Sequence, residues 1–129
     1  MPTLQVFLPQ GHTEPVKAAL LAGLTQATID AISAPAEAIR IMIDELPRLH
    51  IGVAGAASPV GAPLPSPAIT AILIAGRTNQ QKSALIEMLT AASVTALDCD
   101  GAGVRKGPMI EAHPVGVVQD IHPGERGGQ

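Results

Sequence analysis

The sequence predicts an α+β fold: tandem β-α-β units forming a four-stranded sheet with two helices on one face. Three observations predict it. Thr3 to Asp44 reads as strand, helix, strand, with hydrophobic periods that change from extended to helical and back. The same order restarts after Pro67. The chain has 129 residues, 47% apolar and 15% charged, so it can bury a core but is small for two independent ones.

Each element follows in order. Thr3-Leu4-Gln5-Val6-Phe7-Leu8 is a short strand, apolar enough to be covered on both faces. Pro9 to His12 is a loop, and Thr13 is an N-cap with Glu14 and Pro15 in the first helical turn. Val16, Leu20, Leu24, Ala27 and Ala31 recur at helical spacing up to about Ile32, and Ala34-Pro35 ends the helix. Ile39 to Asp44 alternates strictly, with Ile39, Ile41 and Ile43 on one face. Such a unit implies parallel strands and a right-handed crossover. His50 to Gly55 suits a small ribbon. After it, Ala56 to Ser66 is rich in Pro, Gly, Ala and Ser and reads as a linker.

The second pass begins with a strand over Ala68 to Ile74 and a loop over Ala75 to Arg77. Thr78 with Gln81 makes a capping box. Leu85, Ile86, Leu89 and Ala92 form the inner stripe of a helix, and Val104-Arg105-Lys106 is expected to start the partner strand. Pro2 maps to Pro67, Gly11 to Gly76, Thr13 to Thr78, Lys17 to Lys82, Leu20 to Leu85, Leu24 to Leu89 and Arg40 to Arg105, all at one spacing. The expected division is a first unit over 1–55, a linker over 56–66, a second unit over 67–121 and a flexible tail over 122–129. One unit leaves a sheet edge bare. Two can pair edge to edge, and their uncovered apolar face then calls for further subunits.

Composition removes several function classes. Phe7 is the one aromatic and the net charge is -3, so neither stacking on bases nor binding a polyanion is expected. The single Cys99 makes no internal disulfide, which fits a reducing compartment. No run approaches the roughly 18 apolar residues of a membrane span, and no signal peptide opens the chain, so a cytoplasmic location is expected. His12, His50, His113 and His122 lack metal-ligand spacing, so no metal and no cofactor is expected. Cys99 lies between Asp98 and Asp100, which disfavours a thiolate.

Pro2 directly follows Met1, and Met before a small residue is usually trimmed. Trimming leaves Pro2 with a free secondary amine on a rigid ring, a potential general base that no internal residue offers. With Gly11 after the first strand, Ala34-Pro35 before the second, Arg40 within it, Glu45 and His50-Ile51-Gly52 after it, and the Gly76-Arg77-Thr78 turn, Leu97-Asp98 and Val104-Arg105 in the second half, the chain resembles the tautomerase superfamily. It is similar to a fused 4-oxalocrotonate tautomerase, two copies of the short subunit in one chain. The resemblance implies a catalytic amino-terminal proline, β-α-β halves and a homotrimer of fused chains.

It also implies site residues. The family's loop arginine, which holds a substrate carboxylate, corresponds to His12 in the first copy and Arg77 in the second. In the family that arginine reaches the proline of the other copy. Arg77 is therefore expected at Pro2 and His12 at Pro67, which is tied up in an amide after Ser66. One working site per chain follows. Arg40 and Arg105 match the strand arginine that contacts substrate from a neighbouring subunit, and which of them serves Pro2 is open. Ile51 stands where the family usually has an aromatic pocket wall.

A free α-amine titrates at about 7.7–8.0, and apolar surroundings and a nearby arginine lower that. The expected function is a tautomerase: Pro2 shuttles a proton while arginines hold the charge of a small 2-hydroxy-dienoate or arylpyruvate enol. Decarboxylation of 3-oxo acids, hydration or dehalogenation of haloacrylates, and a catalytically inactive trimer are the alternatives. Ile74 stands where the dehalogenases carry a further arginine, and Glu37 is the nearest match to a decarboxylase acid.

Overall fold

A computed structural model describes residues 2–57, 61, 64–98 and 115–121, the last strand and Asp98 by their backbone alone. Strand β1 (Thr3–Pro9) leads into helix α1 (Glu14–Ile32), a 3₁₀ turn (Ala36–Ala38) and strand β2 (Arg40–Leu46). A second 3₁₀ turn (Arg48–His50) and a ribbon of β3 (Gly52–Val53) and β4 (Ala56–Ala57) follow. Strand β5 (Ala68–Ile74), helix α2 (Asn79–Asp98) and strand β6 (Val115–Ile121) complete the chain.

The main sheet has the order β2-β1-β5-β6. β1 runs parallel to β2, with Thr3 opposite Arg40 and Leu8 opposite Glu45. β5 runs parallel to β6, and the two halves meet in the antiparallel pair β1–β5, where Thr3 faces Ile72 and Phe7 faces Ala68. Both helices pack on one face of the sheet, over one core that takes Leu4, Val6 and Leu8 from β1, Ile69, Ala71 and Leu73 from β5, Leu20 and Leu24 from α1 and Leu85 and Leu89 from α2. Each of those leucines contributes about 1.5–3 kcal/mol by leaving water. A Cβ on Gly23 would lie 3.7 Å from the Ala92 Cβ, an ordinary contact, so the two helices pack against each other there.

The helix ends form as their sequences dictate. The Thr13 hydroxyl accepts from Val16 N–H at 3.4 Å. Thr78 and Gln81 form the reciprocal capping box, each accepting at 3.0 Å from the other's backbone N–H. Gly11 (φ 126°) and Gly76 (φ 122°) turn the chain between strand and helix in conformations closed to most L-residues. A Cβ on Gly11 would also sit 3.1 Å from Leu64.

Three expectations change. The described partner of β5 is Val115–Ile121, later in the chain than the expected start at Val104. The repeat spacing points to Val104, which lies outside the described residues. The register slips between Ile69 and Thr70, passing over Gly116, as a bulge does. β1 is not covered on both faces within the chain: Leu4, Val6 and Leu8 are buried, while Gln5 and Phe7 are exposed. The small ribbon also reaches past residue 55, because β4 takes Ala56 and Ala57 from the stretch read as linker. Cys99, Val104 to Lys106 with Arg105, and the tail 122–129 lie outside the described residues.

Candidate active site

The antiparallel β1–β5 pairing sorts the expected site residues into two ends of the sheet. Thr3 lies opposite Ile72, so the start of β1 and the end of β5 share one end. Pro2 precedes Thr3 there, and the Gly76-Arg77-Thr78 turn follows Ile74 there. Helix α1 returns to that end before Arg40 opens β2, and helix α2 departs from it.

Pro2 is fully buried. Its carbonyl accepts from the Arg40 N–H at 3.0 Å, which continues the β1–β2 ladder by one step and fixes the residue at the sheet margin. Arg40 thus touches Pro2 through its backbone. Its side chain is exposed, and the alternation of β2 sends it to the face opposite the half-buried Ile41 and Ile43, which pack against the core. Thr3, Gln5, Phe7, Met42, Thr70 and Ile72 share that uncovered face, with Phe7 37% and Met42 45% exposed.

Arg77 is half-buried, and its Nη1 donates to the Ile32 carbonyl at 2.8 Å. That carbonyl belongs to the last turn of α1, which has no basic residue of its own. The α2 N-terminus begins beside Arg77, and the guanidinium and the positive helix end together favour an anion.

His12 and Ile51 fall at the opposite end. Phe7 faces Ala68, so the loop after β1 shares its end with buried Pro67. The Gln10 N–H donates to the Leu46 carbonyl at 2.9 Å, which ties that loop to the end of β2, and Ile51 follows the 3₁₀ turn just beyond. Lys17 braces this end. It pairs with Glu14 at 2.9 Å and Glu45 at 3.0 Å, and both carboxylates hold its ammonium pKa above the ordinary 10.5, Glu14 the more strongly. Within one chain, then, Pro2 and the Arg77 turn share one end of the sheet, where the Arg40 N–H bonds to Pro2, and His12 and Ile51 lie at the other. Glu37 is exposed in the 3₁₀ turn before Arg40, and Ile74 is apolar and 48% exposed.

Two concavities among the described residues lie on the helix layer. One of about 680 Å³ runs along α2 past Ser83, Ile86 and Thr90, and one of about 490 Å³ lies between the helices at Gly23 and Ala92. Among the described residues no cluster of His, Cys, Asp and Glu suits a metal ion, and no helix is long and apolar enough to cross a membrane.

The model of the family described as tautomerase enzyme matches residues 2–58. The "Probable tautomerase RSp0893" of Ralstonia nicotianae is 49% identical over 55 residues, 43% of this chain and 79% of the relative. This chain belongs to the tautomerase family. The "2-hydroxymuconate tautomerase" of Pseudomonas sp. (strain CF600) is 33% identical over 55 residues, 43% of this chain and 87% of that one. These short relatives match less than half of the chain, as one copy of a repeated unit would. Solved structures match nearly all of it. A native fused 4-OT superposes with a TM-score of 0.77 at 47% identity, covering 94% of this chain and 87% of the other. A wild-type fused 4-OT asymmetric trimer gives 0.78 at 46% identity, with the same coverage. The chain is a fused 4-oxalocrotonate tautomerase-like protein of isomerase type.

The Ile32 carbonyl is the neighbour of Arg77 that sequence reasoning missed. The signal available was a helix end lacking a cation in its last turn.

Proposed function

We propose that the chain interconverts enol and keto forms of small 2-hydroxy-dienoates or arylpyruvates, with Pro2 as the proton carrier. After removal of Met1 the neutral secondary amine takes the 2-hydroxyl proton of the enol. The electrons move into the conjugated system as a dienolate, and the protonated amine returns the proton to carbon. Atoms and charge balance without any further reactant. Arg77 holds a carboxylate in a bidentate grip and stabilises the dienolate charge.

The observation that carries this reading is the antiparallel pairing of Thr3 with Ile72, which supports a shared end for Pro2 and the Arg77 turn. The 2-hydroxymuconate tautomerase relatives support the substrate class. In this account the exposed Arg40 side chain, on the uncovered sheet face, serves a neighbouring copy, and Ile51 walls a neighbour's pocket. A trimer of fused chains, as in the similar fused 4-OT, provides those neighbours.

The test is to replace Pro2 by Ala and follow ketonisation of 2-hydroxymuconate and phenylenolpyruvate. Loss of about 10²–10⁴ in rate is expected for removal of a general base. Parental rates would refute the role of Pro2.

A further inference from the structure

We infer that the Ile32–Ser33 peptide is a positioning element for Arg77, and that Ser33 sets its orientation. The inference rests on the reading of Arg77 as the anion holder and extends it to the residues behind it.

This one peptide plane is pinned on both sides. Its N–H, from Ser33, donates to the Ile29 carbonyl at 2.8 Å and closes the last turn of α1. Its carbonyl, from Ile32, accepts from Arg77 Nη1 at 2.8 Å. The tilt of a peptide plane depends on ψ of the residue before it and φ of the residue after it. Ser33 has φ 56° and ψ 34°, the left-handed region, one of two such non-glycine residues among those described. Around the plane the chain has little room to drift, since Ile32 is fully buried and Ala34 is 3% exposed.

The chemistry favours this bond. Carbonyls of a final helical turn lack intrahelical partners and sit at the negative end of the helix dipole. No basic residue in that turn answers them, and the cation comes instead from Arg77 in the other half of the chain. A guanidinium has five N–H donors. One N–H committed to Ile32 fixes the fork, and the others remain for a carboxylate. The side chain is therefore ordered before substrate arrives, and its ordering is not charged against binding.

The experiment compares Ser33→Val, Ser33→Ala and Ser33→Gly with Arg77→Ala, reading KM and kcat for 2-hydroxymuconate separately. A β-branched residue resists the left-handed region and glycine adopts it freely. Ser33→Val is expected to raise KM about tenfold and to lower kcat by less than that, as displacement of a contact that holds both the substrate carboxylate and the dienolate charge does. Ser33→Ala is expected between Val and parent, and Ser33→Gly to keep the parental KM. Should Ser33→Val fail to fold, the order of Ala above Gly carries the same test. Parental KM in Val and Ala alongside an impaired Arg77→Ala overturns the positioning role and leaves the Arg77 reading standing. A parental Arg77→Ala overturns both.

Discussion

The two halves of this chain are alike where they are buried and unlike where they meet solvent. Leu20 and Leu24 in α1 repeat as Leu85 and Leu89 in α2, all fully buried. Even the buried hydroxyls repeat: Thr28 donates to the Leu24 carbonyl at 2.8 Å, and Ser93 to the Leu89 carbonyl at 2.9 Å. Both prolines before the central strands are buried as well. At the sheet ends the symmetry fails. One end has Pro2 beside the Arg77 turn, and the other has the internal Pro67 beside the His12 loop. A shared core needs matching shapes from both halves, and close packing enforces that. A reaction site needs one base and one anion holder, and duplication leaves the second set unnecessary.

The largest effect expected from breaking this comparison is chemical. Pro2→Ala loses about 10²–10⁴ in ketonisation rate, whereas Pro67→Ala keeps the rate within about twofold. Steady-state assays of the two purified variants check this. Equal losses would mean that the unlike ends act alike.

The next effect sharpens the likeness of the cores. Leu24→Ala and Leu89→Ala each lose about 2–5 kcal/mol, and the two losses agree within about 1 kcal/mol because the positions are equivalent and fully buried. Urea denaturation measures both.

The smallest effect concerns Lys17, which ties the start of α1 to the end of β2. Its pKa is raised in the folded chain, chiefly by Glu14 and then Glu45. Below the ordinary 10.5 the ammonium is protonated in both states, so its stabilising contribution is fully present. The contribution fades as pH rises past that value through the folded one. Denaturation midpoints of parent and Lys17→Met should therefore differ slightly at neutral pH and converge in strong alkali. A gap that widens with pH would contradict the pairing.

Much of this was legible in the sequence for local reasons. Strict alternation announces the inward face of Ile39, Ile41 and Ile43, the capping box announces Thr78 and Gln81, and the repeat announces the pairing of the halves. The repeat spacing favours Val104-Arg105 for the start of the last strand, whereas the described partner of β5 holds the richer β-branched run Val115-Gly116-Val117-Val118. Ala56 and Ala57 give little strand signal, so their place in the ribbon was not visible. The resemblance suggested which end Arg77 serves, but its bond to Ile32 is a long-range contact with no local signature. Nor does the alternation within β2 reveal by itself that Arg40 faces away from the buried Pro2 in its own chain. That needs the sheet.

The central claim is that Pro2 works with an arginine from the other half of the same chain. It is tested most directly by the ketonisation rate of 2-hydroxymuconate with Arg77→Ala and His12→Ala measured side by side. The account predicts a fall of about 10²-fold or more for Arg77→Ala and a change within about twofold for His12→Ala. Comparable losses in the two variants, or a larger one at His12, would contradict it.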